Sequence, residues 1–296
     1  MHQLFVPPSK AEFSFLICRC FVVLKTPFAV IIINLLDSDK HNGGYSIMSN
    51  GFSNEDNILA ALDNKRFSTL NNNLQQLLKF SFDRDITGDT EIICEEKAGL
   101  NKSDLIIKIE EITKTLSVKI GAGNSVHQEP VNEFISFLEN IYEINEALSN
   151  DIRFFIWGDG TLNNTGDKSD RLKANQLKEQ YPDIIDRIKS FFCENKQDLI
   201  ERFVIEGGPK SSSSPDIIYH GNQDNGYWER ADEVLRWLSD DANESRGVIP
   251  VGGLTFQAWN RNIHGGSSSE LKRGHIQLKW PTVGEDLRTM AETRNE

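Results

Sequence analysis

Two short apolar runs, Leu105-Ile106-Ile107-Lys108-Ile109 and Leu116-Ser117-Val118-Lys119-Ile120, constrain this chain more than any other feature. Each has the length and β-branched content of a strand, and the polar segment Glu110 to Lys114 is short enough for a hairpin loop. Side chains alternate across a strand, so Ser117 and Lys119 share one face while Leu116, Val118 and Ile120 share the other. Asp104 stands immediately before the first run. The hairpin therefore sets Asp104 beside Lys119 on adjacent strands.

The segments around the hairpin alternate in type. Asn54 to Phe82 is helical, with Ile58, Leu59, Leu62, Leu70, Leu74, Leu77 and Leu78 at three- and four-residue spacings. Phe67-Ser68-Thr69 breaks it in two, with Ser68 or Thr69 as N-cap. Asp83 to Gly88 is a turn and Glu91 to Cys94 a strand. Gly121-Ala122-Gly123-Asn124-Ser125 is a loop, and Pro130 suits the first turn of a helix. That helix carries Val131, Phe134, Ile135, Leu138, Ile141 and Tyr142 through about Leu148. Ile152 to Trp157 reads as a further strand, closed by Gly158-Asp159-Gly160. Strand, strand, helix, strand predicts an α/β core with a mixed sheet.

Beyond it, Lys168 to Val204 is mainly helix, punctuated at Tyr181-Pro182. Ser211 to Pro215 is a loop and Trp228 to Leu238 a short helix. Val248 to Trp259 and His275 to Trp280 are strands, joined by a Gly/Ser loop at Gly265 to Ser269. The expected organisation is an extension over 1–47, a core over 48–160, and a helical and β extension over 161–296 that completes the core.

The first 47 residues differ in character. Phe13 to Leu36 is apolar but interrupted by Arg19, Lys25 and Pro27, and its clean stretch, Thr26 to Leu36, is shorter than the ~20 residues a membrane span requires. Ordinary globular sequence begins at Met48. We therefore expect Met48 as the natural start and no membrane association; a membrane anchor is the competing reading. Cys18, Cys20, Cys94 and Cys193 lack paired metal-ligand spacing and read as reduced cytosolic thiols. The net charge of −12 excludes a general nucleic-acid coating protein, whose affinity rests on many Lys/Arg–phosphate contacts. A local basic cleft for DNA remains compatible with it.

An aspartate beside a lysine at a hairpin can hold a hard divalent cation and activate a water against a phosphodiester. One acid is not enough, and position 117, two before the lysine, is Ser117 rather than a carboxylate. Glu129 and Glu133 are four apart and would share one helical face if a helix begins near Gln128. Either can supply the missing acid, with Glu133 preferred. An Asp and a Lys beside a hairpin also occur as solvated surface residues. The Gly loop and Glu-bearing helix that follow favour a site.

Lys102-Ser103-Asp104, Ser117-Val118-Lys119 and a downstream helix glutamate resemble the PD-(D/E)XK nuclease superfamily. Within it, the chain is most similar to type II restriction endonucleases whose second acid has moved to the next helix. The resemblance covers about residues 50–160. Ser103 stands where a proline is usual, and the thirteen-residue interval from Asp104 to Ser117 is shorter than in that subgroup. The resemblance implies a restriction-endonuclease-like core, a central mixed β-sheet flanked by helices with a C-terminal helical and β extension. It also implies Mg²⁺ on Asp104, the Val118 carbonyl and Glu133 or Glu129, with Lys119 orienting or deprotonating the attacking water. Glu91, Glu95 or Glu96 would assist as metal ligands. Double-stranded DNA as substrate, a homodimer, a cognate DNA methyltransferase as genetic partner and the bacterial cytoplasm are further implications.

Other readings compete. Gly121 to Ser125 can cradle a phosphate at a helix N-terminus, though it fits neither nucleotide-binding glycine motif. Asp216 with Gln277 and Lys279 is a second candidate nuclease site. Asn260, Arg261, Asn262, His264, Lys272, Arg273, Gln277 and Lys279 crowd a segment with one acid, Glu270, and are expected to read DNA, with Asn124 and His127 near the core. Trp259 and Trp280 are expected in the core. The different-class alternative is a non-catalytic DNA-binding or interaction protein with a nuclease-like fold.

Overall fold

A computed structural model describes residues 50–294 except Leu100, Gly123, Pro209 and Lys210. The expectations for residues 1–47, for a start at Met48 and for Cys18 and Cys20 lie outside the described residues. Cys94 and Cys193 are free thiols, the first buried and the second exposed. No helix among the described residues is long and apolar enough to cross a membrane.

The hairpin forms as β3 (Leu105–Ile109) and β4 (Ile112–Lys119), antiparallel, with Leu105 opposite Leu116 and Ile109 opposite Ile112. Its turn is only Glu110-Glu111, with Glu110 at a φ of 53°. Thr113, Lys114 and Thr115 therefore belong to the strand, Thr113 exposed and Lys114 and Thr115 half-buried, positions that tolerate polar side chains. Ile120 falls beyond the strand end and is 37% exposed. On the buried face Leu116 and Val118 alternate inward as expected.

β2 (Glu91–Glu96) flanks β3 in antiparallel register, and β1 (Lys65–Arg66) flanks β2. On the far side, β6 (Ile217–Gly221) runs parallel to β4, pairing Ser117 with Ile218 and Lys119 with His220. β7 (Gly226–Arg230) closes the sheet antiparallel to β6. The mixed sheet is six-stranded, in the order β1-β2-β3-β4-β6-β7. The expected mixed central sheet flanked by helices is thus present. Its parallel step requires a long crossover between Lys119 and Ile217.

That crossover opens with β5 (Asn124–Pro130), the edge of a second, four-stranded antiparallel sheet ordered β5-β10-β9-β8. Its other strands are β8 (Ile249–Val251), β9 (Leu254–Ala258) and β10 (His275–Trp280). Helices α3 (Val131–Tyr142), α4 (Glu146–Trp157), α5 (Ala174–Gln180), α6 (Pro182–Glu194) and α7 (Lys196–Ile200) follow β5, and α7 runs into a π-helical turn, Glu201–Glu206.

Two cores result. Helices α1 (Asn50–Leu62) and α2 (Asn72–Phe82) bury Ile58, Leu62, Leu74, Leu77 and Leu78 against Ile92, Ile107, Leu116, Val118 and Tyr219 of the first sheet. The second core joins Phe134, Phe155, Phe192 and Phe203 to Phe256, Leu278 and Trp280. Ile218 points from the first sheet into this second core, on the face that also carries Ser117 and Lys119.

Several expected elements differ. Ile152 to Trp157 is the end of α4, not a strand. Asn145 caps that helix by accepting from Leu148 N, Gly158 ends it at a φ of 62°, and the helical spacing of Ser149, Ile152 and Ile156 buries them together. Six apolar-rich residues fit either period, and the flanking caps decide. Residues 124–130 form a strand rather than a loop and first helical turn. Pro130 ends it, and α3 starts at Val131, whose N–H donates to the Gly274 carbonyl. The N-cap of α2 is Asn71, not Ser68 or Thr69. Trp228 lies in β7, and the expected helix begins later, as α8 (Ala231–Ser239). β6 and the C-terminal helix α9 (Val283–Arg294) had no sequence expectation.

Candidate functional site

β4 and β6 end together at Lys119 and Gly221, and the N-terminal part of α1 reaches the same edge, where Asn54 Nδ2 donates to the Gly221 carbonyl at 2.8 Å. Asp104 extends the hairpin ladder by one step, its N–H donating to the Leu116 carbonyl at 2.8 Å. The carboxylate consequently lies beside the last turn of pleat in β4.

Asp104 Oδ2 accepts from Val118 N at 2.6 Å, Ser117 Oγ at 3.2 Å and Lys119 Nζ at 3.5 Å. Lys119 Nζ donates also to Ser117 Oγ at 2.8 Å and to the Val118 carbonyl at 3.1 Å. Asp104 Oδ1 has no hydrogen-bond partner among the described residues. The side chains of Asp104 and Lys119 are 22% and 21% exposed, and both line a cavity of about 570 Å³. Ser117 is buried, so its hydroxyl acts from below, donating to the acid and accepting from the base.

The two expected partner acids separate. Glu133, in the first turn of α3, is exposed, lines the same cavity and makes no hydrogen bond among the described residues. Glu129 is on β5, so the pair does not share a helical face. Its carboxylate is buried and held by Arg202, with Nη1 to Oε1 at 2.7 Å and Nη2 to Oε2 at 2.9 Å. His127 Nε2 meets Oε1 at 2.9 Å. Burial works to raise the Glu129 carboxyl, but hydrogen bonds from His127 and Arg202 outweigh it and the net shift is downward. With both oxygens engaged, Glu129 is a structural anion and not a free ligand.

Two residues without a sequence assignment belong here. Burial, then the charge of Asp104, raises the Glu55 carboxyl to about 7. Glu55 precedes Ile58 by three on α1, so a carboxylate near the apolar stripe was its signal in the sequence. Burial, then repulsion from Lys119 and Arg202, lowers the Lys102 ammonium to about 7. Among the β2 acids, Glu96 contributes to the Glu55 shift, Glu95 pairs with Lys108 at 2.8 Å, and Glu91 stands opposite Arg66 at the far end.

The residues expected to read DNA divide by burial. Arg273, 6% exposed, bonds Asp159 Oδ2 at 3.1 Å and Asn164 Oδ1 at 2.6 Å. Arg261 Nη2 donates to the Phe155 carbonyl at 2.6 Å, and burial with the Arg273 charge lowers it to about 10. Asn262 is buried against Gly266 and Glu270, and buried Gln277 accepts from Gln257 at 2.8 Å. Each of these four makes a hydrogen bond inside the protein, Gln277 doing so from β10 to β9. Asn260, Lys272 and Lys279 are half-buried, Lys272 lying 4.9 Å over the ring of Trp259. Asn124 donates to the Gly121 carbonyl, and His127 is buried beside Glu129. Trp280 is in the core as expected.

The competing sites do not assemble. Asp216 precedes β6 and accepts from Thr115 N at 2.8 Å, whereas Gln277 and Lys279 stand on β10 of the other sheet. The loop after Lys119 enters a strand, so no helix N-terminus backs it.

No three His, Cys, Asp or Glu side chains converge as a metal-ligating group among the described residues. Such a closed cage is what Zn²⁺ would require. Mg²⁺ keeps several waters and takes one or two carboxylates together with substrate phosphates, which suits the unengaged Asp104 Oδ1 and a cavity-lining Glu133. Comparison with protein-family models gives no match to this chain, and comparison with curated proteins gives none.

Proposed function

We propose that this chain is a Mg²⁺-dependent endonuclease on double-stranded DNA, of the type II restriction class. The observation that carries the reading is the Asp104–Lys119 pair, 3.5 Å apart at the mouth of a cavity and bridged by Ser117. Asp104 with Glu133 would hold Mg²⁺, with the Val118 carbonyl as the backbone ligand; Glu55, whose carboxyl feels the charges of Asp104 and Lys119, is a further candidate acid. The ion, when bound, polarises the scissile phosphate and lowers the pKa of a coordinated water.

The chain's own residues do the rest. The Val118 N–H and the Ser117 hydroxyl fix Asp104 Oδ2, so Oδ1 is the oxygen turned to a ligand. Lys119, held by Ser117 Oγ and the Val118 carbonyl, orients the attacking water and offsets charge on the phosphate. Two copies would act on the two strands of a palindromic site, with a cognate methyltransferase protecting the host DNA in the bacterial cytoplasm.

Plasmid DNA incubated with the protein and MgCl₂ tests this. The wild type should linearise DNA at discrete positions, and Lys119→Ala should lower the rate by about 10²-fold or more. Equal cutting by both rejects the site. Absence of cutting by wild type across varied DNAs supports the non-catalytic DNA-binding alternative.

A further inference from the structure

Lys102 occupies a second wall of the cavity that holds Asp104 and Lys119. Its Nζ donates to the Val126 carbonyl at 2.6 Å and lies 3.2 Å from His127 Nδ1. Because His127 Nε2 faces Glu129 Oε1, the imidazole donates there and accepts from Lys102 on Nδ1. Glu129 is in turn neutralised by the two-pronged clamp of Arg202, whose guanidinium lies 3.9 Å over the Phe137 ring. Lys102 is left without a carboxylate in ion-pair range among the described residues. The charged groups facing it are Lys119 from β4, Asp104 before β3, Glu129 from β5 and Arg202 from the π turn.

A desolvated ammonium with no counter-charge is costly, and removing water without supplying an anion leaves that cost standing. An ammonium also has three donors, of which two are engaged here. The cavity lining includes the neutral polar groups Asn101, Ser125 and Gln128 beside the acids Asp104, Glu129 and Glu133. We propose that Lys102, braced by His127, Glu129 and Arg202, is the seat of a backbone phosphate neighbouring the one cleaved at Asp104 and Lys119. The DNA source of that phosphate rests on the nuclease reading; the anion seat does not. Lys102 is thus a positioning residue: it fixes the register of the strand against Lys119.

Two probes test it. The first is inorganic phosphate, read by thermal melting. Phosphate should raise the melting temperature of wild type and Lys102→Arg, and should leave Lys102→Met unmoved. The second is a labelled duplex titrated in EDTA at several salt concentrations. Lys102→Met should bind at least about tenfold more weakly, with a salt slope smaller by about 0.9, the value for one phosphate contact. Gln128→Glu keeps Lys102 and places a carboxylate at an exposed cavity position, so it should weaken both probes even where Lys102→Met fails to fold. Phosphate that stabilises Lys102→Met as much as wild type, or stabilises neither, overturns the anion seat. A duplex affinity and slope unchanged in folded Lys102→Met and in Gln128→Glu overturns its assignment to DNA. Should wild type fail to cut any plasmid while phosphate stabilisation still requires Lys102, the nuclease reading falls and the anion seat stands.

Discussion

Ser117 is the hydroxyl through which Asp104 and Lys119 hold one another, and its burial makes that bridge a fixed part of the site. Ser117→Ala leaves Asp104 with Val118 N–H and frees Lys119 to swing. A buried hydrogen bond of this kind contributes about 1 kcal/mol, so denaturant unfolding should show a loss of about 1–2 kcal/mol. The cleavage rate should fall more than stability, because Lys119 loses its aim. The second acid is tested by Mg²⁺ titration of cleavage: Glu133→Gln should raise the half-saturating concentration about tenfold or more, and Glu129→Gln should act on folding instead. Titration of the buried pair gives a pH prediction. Burial holds His127 below its ordinary 6.5, and Glu129 lies below its ordinary 4.5. As pH falls through 6.5 the unfolded chain takes a proton on His127 that the native state refuses, and the same holds for Glu129 below 4.5. The contribution of this pair to stability should therefore decline progressively below pH 6.5, opposed between about pH 7 and 4.5 by Glu55, whose raised carboxyl takes its proton first in the native state. His127→Gln should flatten the part of the curve between pH 6.5 and 4.5; an unchanged curve would remove His127 as its source.

At the scale of elements, the hairpin was legible because β-branched alternation and a polar turn agree with one another. The same reading failed at Ile152–Trp157, where only the Asn145 cap and Gly158 distinguish a helix end from a strand. β5 was hidden for a different reason. Its inward residues, His127 and Glu129, are polar and are buried only because Arg202 arrives from the π turn to satisfy them, a long-range event no local window contains. Long-range satisfaction also explains the cationic C-terminal segment. Composition suggests a DNA-reading surface, yet Arg273 fastens Asp159 and Asn164 below β10 and α4. Arg273→Ala strands a buried Asp159 charge, and the expected loss is about 3–5 kcal/mol of stability. Lys272→Ala, at a half-buried neighbour, should leave stability within about 0.5 kcal/mol. Parallel denaturation of the two variants checks the distinction.

The whole molecule explains why a site legible in about twenty residues needs so much more chain. Asp104 and Lys119 are set by β3 and β4, but β4 is an interior strand only because β6 pairs with it in parallel and β7 covers β6. Those strands lie beyond residue 160, after a crossover that carries β5, the edge of the second sheet, and helices α3 to α7. Ile217 and Tyr219 complete the core under α1 and α2, while Ile218 on the same strand joins the other core. β6 is therefore the element through which the two cores fold as one, and the wall bearing His127, Glu129 and Arg202 is assembled by the same crossover. A fragment of residues 48–160 keeps every motif residue, yet it exposes the β4 edge and lacks Ile217, Tyr219 and Trp228. It should be soluble only with difficulty and show no cooperative melt, since an open apolar edge strand invites association. The chain over residues 48–294 should melt cooperatively. A fragment of 48–160 that melts sharply and binds Mg²⁺ on its own would show that the hairpin and its two helices form a self-sufficient site, and would remove β6 from the role argued for it.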